Sequence, residues 1–100
     1  MFNFERSRAF ADWLNSLKDT VGKARIVARL RAAELGSFGD CEHVGEAVHE
    51  MRVHHGPGYR MYFTRRREVV YLLLVGGDKS TQKRDIKRAI QMVQDIGNEE

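Results

Sequence analysis

The chain has one cysteine, Cys41, one proline, Pro57, and no long apolar run. A single thiol cannot close an internal disulfide, so a disulfide-stapled secreted fold is excluded and a reducing compartment is the simplest setting. A lone cysteine is more often a small apolar residue than a nucleophile. The longest apolar run, "VVYLLLV" from Val69 to Val75, is too short to cross a bilayer as a helix. The opening residues, "MFNFERSRAF", hold no apolar stretch of signal-peptide length. These absences predict a soluble, cytoplasmic protein without membrane contact. Acidic residues are missing from one segment in particular. Between Met51 and Arg67 there are five arginines (Arg52, Arg60, Arg65, Arg66 and Arg67) and neither Asp nor Glu. The whole chain carries a net charge of +3, so outside this segment it is net negative. A local excess of positive charge on a small protein points to an anionic partner, nucleic acid or an acidic protein.

The chain has 100 residues, of which 42% are hydrophobic. That is enough for one domain, spanning 1–100, with a small core. There is no internal repeat, low-complexity tract or linker. Phe10, Trp13, Leu14 and Leu17 recur at helical spacing and predict a short helix over about 7–17, with Ser7 as cap. A second helix is predicted over about 20–35, with Ile26, Val27, Leu30 and Ala33 on one face and Gly36 ending it. "GSFGDCEHVGE" reads as a loop because of its three glycines, and residues 1–5 read as a short edge strand. Period-two alternation then predicts strands over about 47–53 and 59–65, and an apolar strand over 69–75 that is covered on both faces. "HHGPG" and the "RRR" before Glu68 read as the turns of an antiparallel meander. Ile86, Ala89, Ile90, Val93 and Ile96 form the stripe of a last helix that starts at Ser80 or Thr81. The class is α+β: a small antiparallel sheet with two N-terminal helices on one face and a C-terminal helix.

Strand alternation sorts the side chains. If the N-terminal helices cover Met51, Val53, Tyr59, Met61 and Phe63, then Arg52 and Arg60 share the opposite face with Tyr62 and His54. That face is expected to be open, and two uses for it remain. Either Arg52 pairs with a carboxylate on a solvated surface, for which Glu50 on the same strand is a poor partner though not an impossible one, or the arginines bind phosphate while a tyrosine ring stacks on an unpaired base. "GGDKST" resembles the end of a phosphate-binding loop but lacks the required first glycine, and Asp78 interrupts it. What remains is a glycine-rich turn into a helix N-terminus beside Lys79, a place that favours an anion. His49, His54 and His55 fit no zinc spacing and read as surface histidines. No serine–histidine–acid set or catalytic carboxylate pair stands out.

Four stretches together resemble the RelE/ParE toxin superfamily, in its HigB-like addiction module killer branch. They are "FADWLNSLKD", "ARIVARLRAAELGSFGD", "VGEAVHEMRVHHGPGYRMYF" and "VVYLLLVGGDKSTQKRDIKRA". The resemblance implies the toxin of a type II toxin–antitoxin pair. It implies a ribosome-dependent mRNA endoribonuclease that uses no metal or other cofactor and cuts by attack of a ribose 2′-OH on the adjacent phosphodiester. Carried over by motif, Arg60 of "GYR" would hold the scissile phosphate, Arg52 of "EMR" would be a second phosphate contact, and Lys79 would stabilise charge or protonate the leaving 5′-oxygen. Tyr62 and Tyr59 would stack on bases, and Arg65, Arg66 and Lys83 would contact the RNA. Some relatives carry a C-terminal tyrosine as proton acceptor. This chain has no tyrosine after Tyr71, which leaves His54 as candidate base because histidine titrates near neutral pH. Implied partners are a cognate antitoxin, mRNA on the ribosome, and operator DNA only through the antitoxin complex. A ParE-like gyrase inhibitor and a non-catalytic RNA-binding module are the competing readings.

Overall fold

The computed structural model describes residues 1–99. Ser7 caps helix α1 (Arg8–Ser16): its hydroxyl accepts from the Phe10 amide and donates to the Leu74 carbonyl at 2.6 Å, which ties the helix start to the sheet. Helix α2 (Thr20–Glu34) is capped by Asp19, which accepts from the Gly22 amide at 2.9 Å and from the Tyr59 hydroxyl at 2.9 Å. Gly36, at φ +94, closes its C-terminus as the sequence predicts.

Five strands form one sheet in the order β1-β5-β4-β3-β2. They are β1 (Asn3–Arg6), β2 (Cys41–Gly45), β3 (Val48–Val53), β4 (Tyr59–Arg67) and β5 (Val70–Gly77). β1 runs parallel to β5, and all other pairs are antiparallel. The predicted meander is β3–β4–β5, and the predicted edge strand is β1. Two expectations change. The segment read as a loop contains β2, whose "CEHVG" has no apolar alternation and becomes a strand by pairing with β3. The three arginines before Glu68 belong to β4, and Glu68 and Val69 make the turn.

Helices cover both faces of the sheet. Phe10 and Leu14 of α1 and Ile26 and Leu30 of α2 pack with Met51, Met61, Phe63 and Leu73. Helix α3 (Gln82–Glu99) packs on the opposite face, where Ala89, Ile86, Ile90 and Val93 meet Val48, Tyr62, Leu74 and Val75. An irregularity in the β4–β5 ladder helps: Tyr62 pairs with Val75 but Phe63 with Leu73, so the extra residue Leu74 joins Val75 under α3. The face expected to be open is therefore half covered. Only its end near Arg52 and Arg60 escapes the helix.

Close approach on both sides depends on two glycines at the end of β5. A methyl group on Gly76 would overlap the indole of Trp13 in α1, and one on Gly77 would overlap the Asp85 carboxylate in α3. Gly76→Ala and Gly77→Ala are each expected to destabilise by about 1–3 kcal/mol, the range for overpacking. Each kcal/mol lowers Tm by roughly 4–8 °C in a domain of this size, which a thermal melt resolves. Gly97→Ala, with nothing within 4 Å of the added carbon, should leave the melt unchanged or raise it.

The Asp19 carboxyl is held below its ordinary range, first by the Gly22 amide and then by the Tyr59 hydroxyl. Its contribution to stability is thus complete above its unfolded value of 3.8 and is lost as pH falls through the lower folded value. Asp19→Asn keeps a capping oxygen but cannot titrate. Urea unfolding at stepped pH should show a shallower acid-side loss in that variant.

Candidate functional site

β3 and β4 pair so that Arg52 lies opposite Arg60 and Glu50 opposite Tyr62. All four point to the α3 side. Two arginines in cross-strand register repel each other unless an anion lies between them. Glu50 is that anion, and it has no solvent exposure. Its Oε1 accepts from Arg52 Nε at 2.8 Å, and its Oε2 accepts from the Tyr62 hydroxyl at 2.8 Å and from Gln82 Nε2 at 2.9 Å. Arg60 Nε lies 3.6 Å from the same oxygen. Gln82 is the first residue of α3, so the carboxylate also anchors the start of that helix.

Arg60 is pinned from two sides. Its Nη1 donates to the Gly58 carbonyl at 2.7 Å, and its side chain is only 13% exposed. Its Nε is buried and lacks a hydrogen-bond partner, with the Glu50 carboxylate 3.6 Å away and the Asp78 charge also acting on the guanidinium. Gly58 has φ +77, and a Cβ there would stand 3.0 Å from Arg60 Nη1 and 3.6 Å from Lys79 Cβ. The turn 56–58 thus brings Lys79 and Arg60 to the same place, and the Lys79 amide donates to Pro57 O. Lys79 is exposed and has no ion-pair partner among the described residues.

The turn into α3 supplies its own anion. Asp78 caps a 3₁₀ turn (Lys79–Thr81), accepts from the Ser80 amide at 2.8 Å, and forms a capping box with Thr81. Bonding to Ser80 holds the Asp78 carboxyl below its usual range. The cap predicted at Ser80 or Thr81 is therefore Asp78, and the amide expected to attract a ligand is already engaged.

Arg52 is crowded by carboxylates. Besides Glu50 it pairs with Glu42 of β2, and its Nη1 lies 3.7 Å from Asp40 Oδ1. Asp40 Oδ2 also bonds His54 Nε2 at 2.6 Å, which is the main reason its pKa is lowered. His54 itself is largely exposed.

The structure thus places Arg52 and Arg60 on one face, as strand alternation predicts, with Lys79 at the adjoining turn and His54 linked to Arg52 through Asp40. Other expectations are corrected. Tyr62 is fully buried under α3, and burial followed by its bond to Glu50 pushes its phenol far above the ordinary range, so it offers no ring to a base. Tyr59 faces the α1–α2 core at 6% exposure, bonded to Asp19, and is equally closed to stacking. Arg65 and Arg66 are exposed but lie toward the far end of β4; Arg65 is five residues, or roughly 16 Å, from Arg60. The Arg65 guanidinium sits over the Tyr71 ring at 5.8 Å. Lys83 is exposed on the first turn of α3, next to Gln82. His49 is half-buried against Phe63 at 5.6 Å, and desolvation lowers its pKa. Cys41 donates to the Phe38 carbonyl, and burial raises its pKa, which disfavours the reactive thiolate. Among the described residues, no three His, Cys, Asp or Glu side chains are grouped to hold a metal ion.

Sequence reasoning passed over Asp40, Glu42 and Gln82 and treated Glu50 as a poor partner for Arg52. One signal was present: positions 50, 52, 60 and 62 share a face with a single carboxylate among two arginines and a tyrosine. Glu50→Ala would take the ion-pair partner from the Arg60 Nε and the buried one from Arg52, and is expected to destabilise by about 3–5 kcal/mol. Tyr62→Phe removes one donor and keeps the ring, for about 1 kcal/mol. Urea denaturation of both variants checks the order.

No solved structure matches the chain. A Haemophilus influenzae protein described as uncharacterized is 43% identical over 88 residues, covering 88% of this chain and 89% of its own. The family model described as Phage derived protein Gp49-like (DUF891) matches residues 12–94, from within α1 to the last helix, and includes every charged residue of the Glu50 cluster. The chain belongs to this Gp49-like family, which is of addiction-module toxin type.

Proposed function

We propose that the protein is the toxin of a type II toxin–antitoxin pair and acts, in the RelE/ParE manner, as a metal-independent endoribonuclease on ribosome-bound mRNA. The observation that carries this reading is Arg60: a guanidinium fixed by the Gly58 carbonyl and the Glu50 carboxylate, with Lys79, exposed and without an ion pair among the described residues, across the same turn. Cleavage of RNA by its own 2′-OH needs little covalent chemistry from a protein. It needs the reacting atoms in line and positive charge where the phosphorane forms. Arg60 stabilises the phosphorane oxygens, and Arg52 holds phosphate. Asp40 holds His54 through Nε2, so in the neutral ring Nδ1 is free to take the 2′-OH proton. Lys79 gives a proton to the departing 5′-oxygen. The products are a 2′,3′-cyclic phosphate and a free 5′-OH. Exposed Lys83 adds to the attraction for the strand.

The cognate antitoxin of such a toxin is expected to present an acidic segment over Arg52 and Arg60. Operator DNA would be bound only through the toxin–antitoxin complex.

Induction without antitoxin, followed by mapping of RNA 5′ ends, tests the reading. Wild type should arrest growth and create new 5′-OH ends within translated messages. Arg60→Ala should remain folded and lose at least about a hundredfold in cleavage, the loss typical of a transition-state donor. Arg60→Lys should lose most of it as well, because an ammonium cannot reproduce the planar fork. Undiminished cleavage in Arg60→Ala removes Arg60 from the mechanism. Growth arrest with broken chromosomal DNA and intact message would favour the gyrase-directed reading. No arrest and no new ends would leave an RNA-binding module.

A further inference from the structure

Arg52 enters the proposed reaction already engaged. Glu50 holds it by Nε and is inaccessible to solvent. Glu42 is different. It sits on the edge strand β2 with 58% of its side chain exposed, and it pairs with Nη2, one of the two terminal nitrogens a phosphate would use. The β2–β3 register also places Glu42 directly opposite Glu50, an arrangement of like charges that opposes pairing unless Arg52 bridges them. Arg52 therefore has a buried counterion, Glu50, that fixes its position, Asp40 at 3.7 Å from Nη1, and in Glu42 the most exposed of the three, which covers Nη2.

We propose that Glu42 is an internal competitor for the phosphate that Arg52 binds, so that a strand gains Arg52 only by displacing this carboxylate. The inference rests on the RNA reading of the site. It makes Glu42 a determinant of affinity and ligand type. A single anion has little means to displace a tethered carboxylate. A strand already held at Arg60 and Lys79 presents its next phosphate at high effective concentration and can do so. The site thereby favours a chain of phosphates over a free nucleotide or inorganic phosphate.

The test is fluorescence anisotropy of a short single-stranded 2′-O-methyl oligoribonucleotide, which cannot be cut, titrated with wild type, Glu42→Gln, Arg52→Ala and the double variant over a range of salt. Circular dichroism confirms folding, which substitution of an exposed edge residue should leave intact. Glu42→Gln is expected to bind about two- to fivefold tighter, the worth of one exposed ion pair. Its plot of log affinity against log salt should steepen by about 0.7, the increment for one more phosphate contact on a single strand. In the Arg52→Ala background the same substitution should change neither quantity. An equal gain in that background would mean a general charge effect and overturn the proposal. So would unchanged or weaker binding of Glu42→Gln when wild type binds. If no variant binds RNA, the RNA reading itself fails and this inference with it.

Discussion

A carboxylate with no access to water, Glu50, organises this molecule. Burying such a group is unfavourable unless several donors replace its hydration. The donors come from three elements: Arg52 from β3, Tyr62 from β4 and Gln82 from α3. One anion therefore fixes strand register, the start of a helix and the positions of two guanidinium groups. Without it, the Arg52–Arg60 register would be a repulsive pair in the middle of the sheet. With it, that register becomes the means of holding two cations rigidly at one end of the α3 face.

The second constraint is geometric. A five-stranded sheet sandwiched between helices must let both layers come close. The chain meets this at the end of β5, where Gly76 faces Trp13 and Gly77 faces Asp85. Thr81 donates to Asp85 at 2.6 Å, Asp78 caps the turn, and Gln82 reaches Glu50. The stretch "GGDKSTQ", which looks like part of a phosphate loop, is thus largely a device for docking α3. Lys79 is its member left facing solvent without an ion pair among the described residues, and this links helix docking to the placement of a functional cation.

Much of this was legible in the sequence because it depends on local period. The three helices, the β3–β5 meander, the edge strand β1 and the common face of Arg52 and Arg60 all follow from spacing. What was not legible depends on pairing at a distance. β2 has no apolar alternation and exists because β3 offers it an edge. The stripe of α3 shows that the helix packs on something, but not on which face. The clue lay in β5, whose "VVYLLLV" run is apolar on both sides and needs two covers; followed through, it would have closed the open face and buried Tyr62. Asp40, Glu42 and Gln82 lie 10 to 32 positions from the residues they bond in the cluster, beyond the reach of any periodicity argument.

The charge balance of the cluster assigns different work to its three cations. Arg60 is largely buried and held by the Gly58 carbonyl, so it has little side-chain freedom left to lose when a ligand arrives, and its contribution is geometric. Its field is weakened by Glu50 at 3.6 Å, however, so long-range attraction must come from elsewhere. Lys79, exposed and without an ion pair among the described residues, is placed to provide it. Arg52 is neutralised by three carboxylates and contributes only where one of them yields. A basic segment that appears strongly positive in the sequence is thus almost balanced where it matters. Recognition at such a site depends less on net charge than on which carboxylate can be exchanged, and Glu42, on an edge strand and more open to water than Asp40, can leave with the Glu50 scaffold intact.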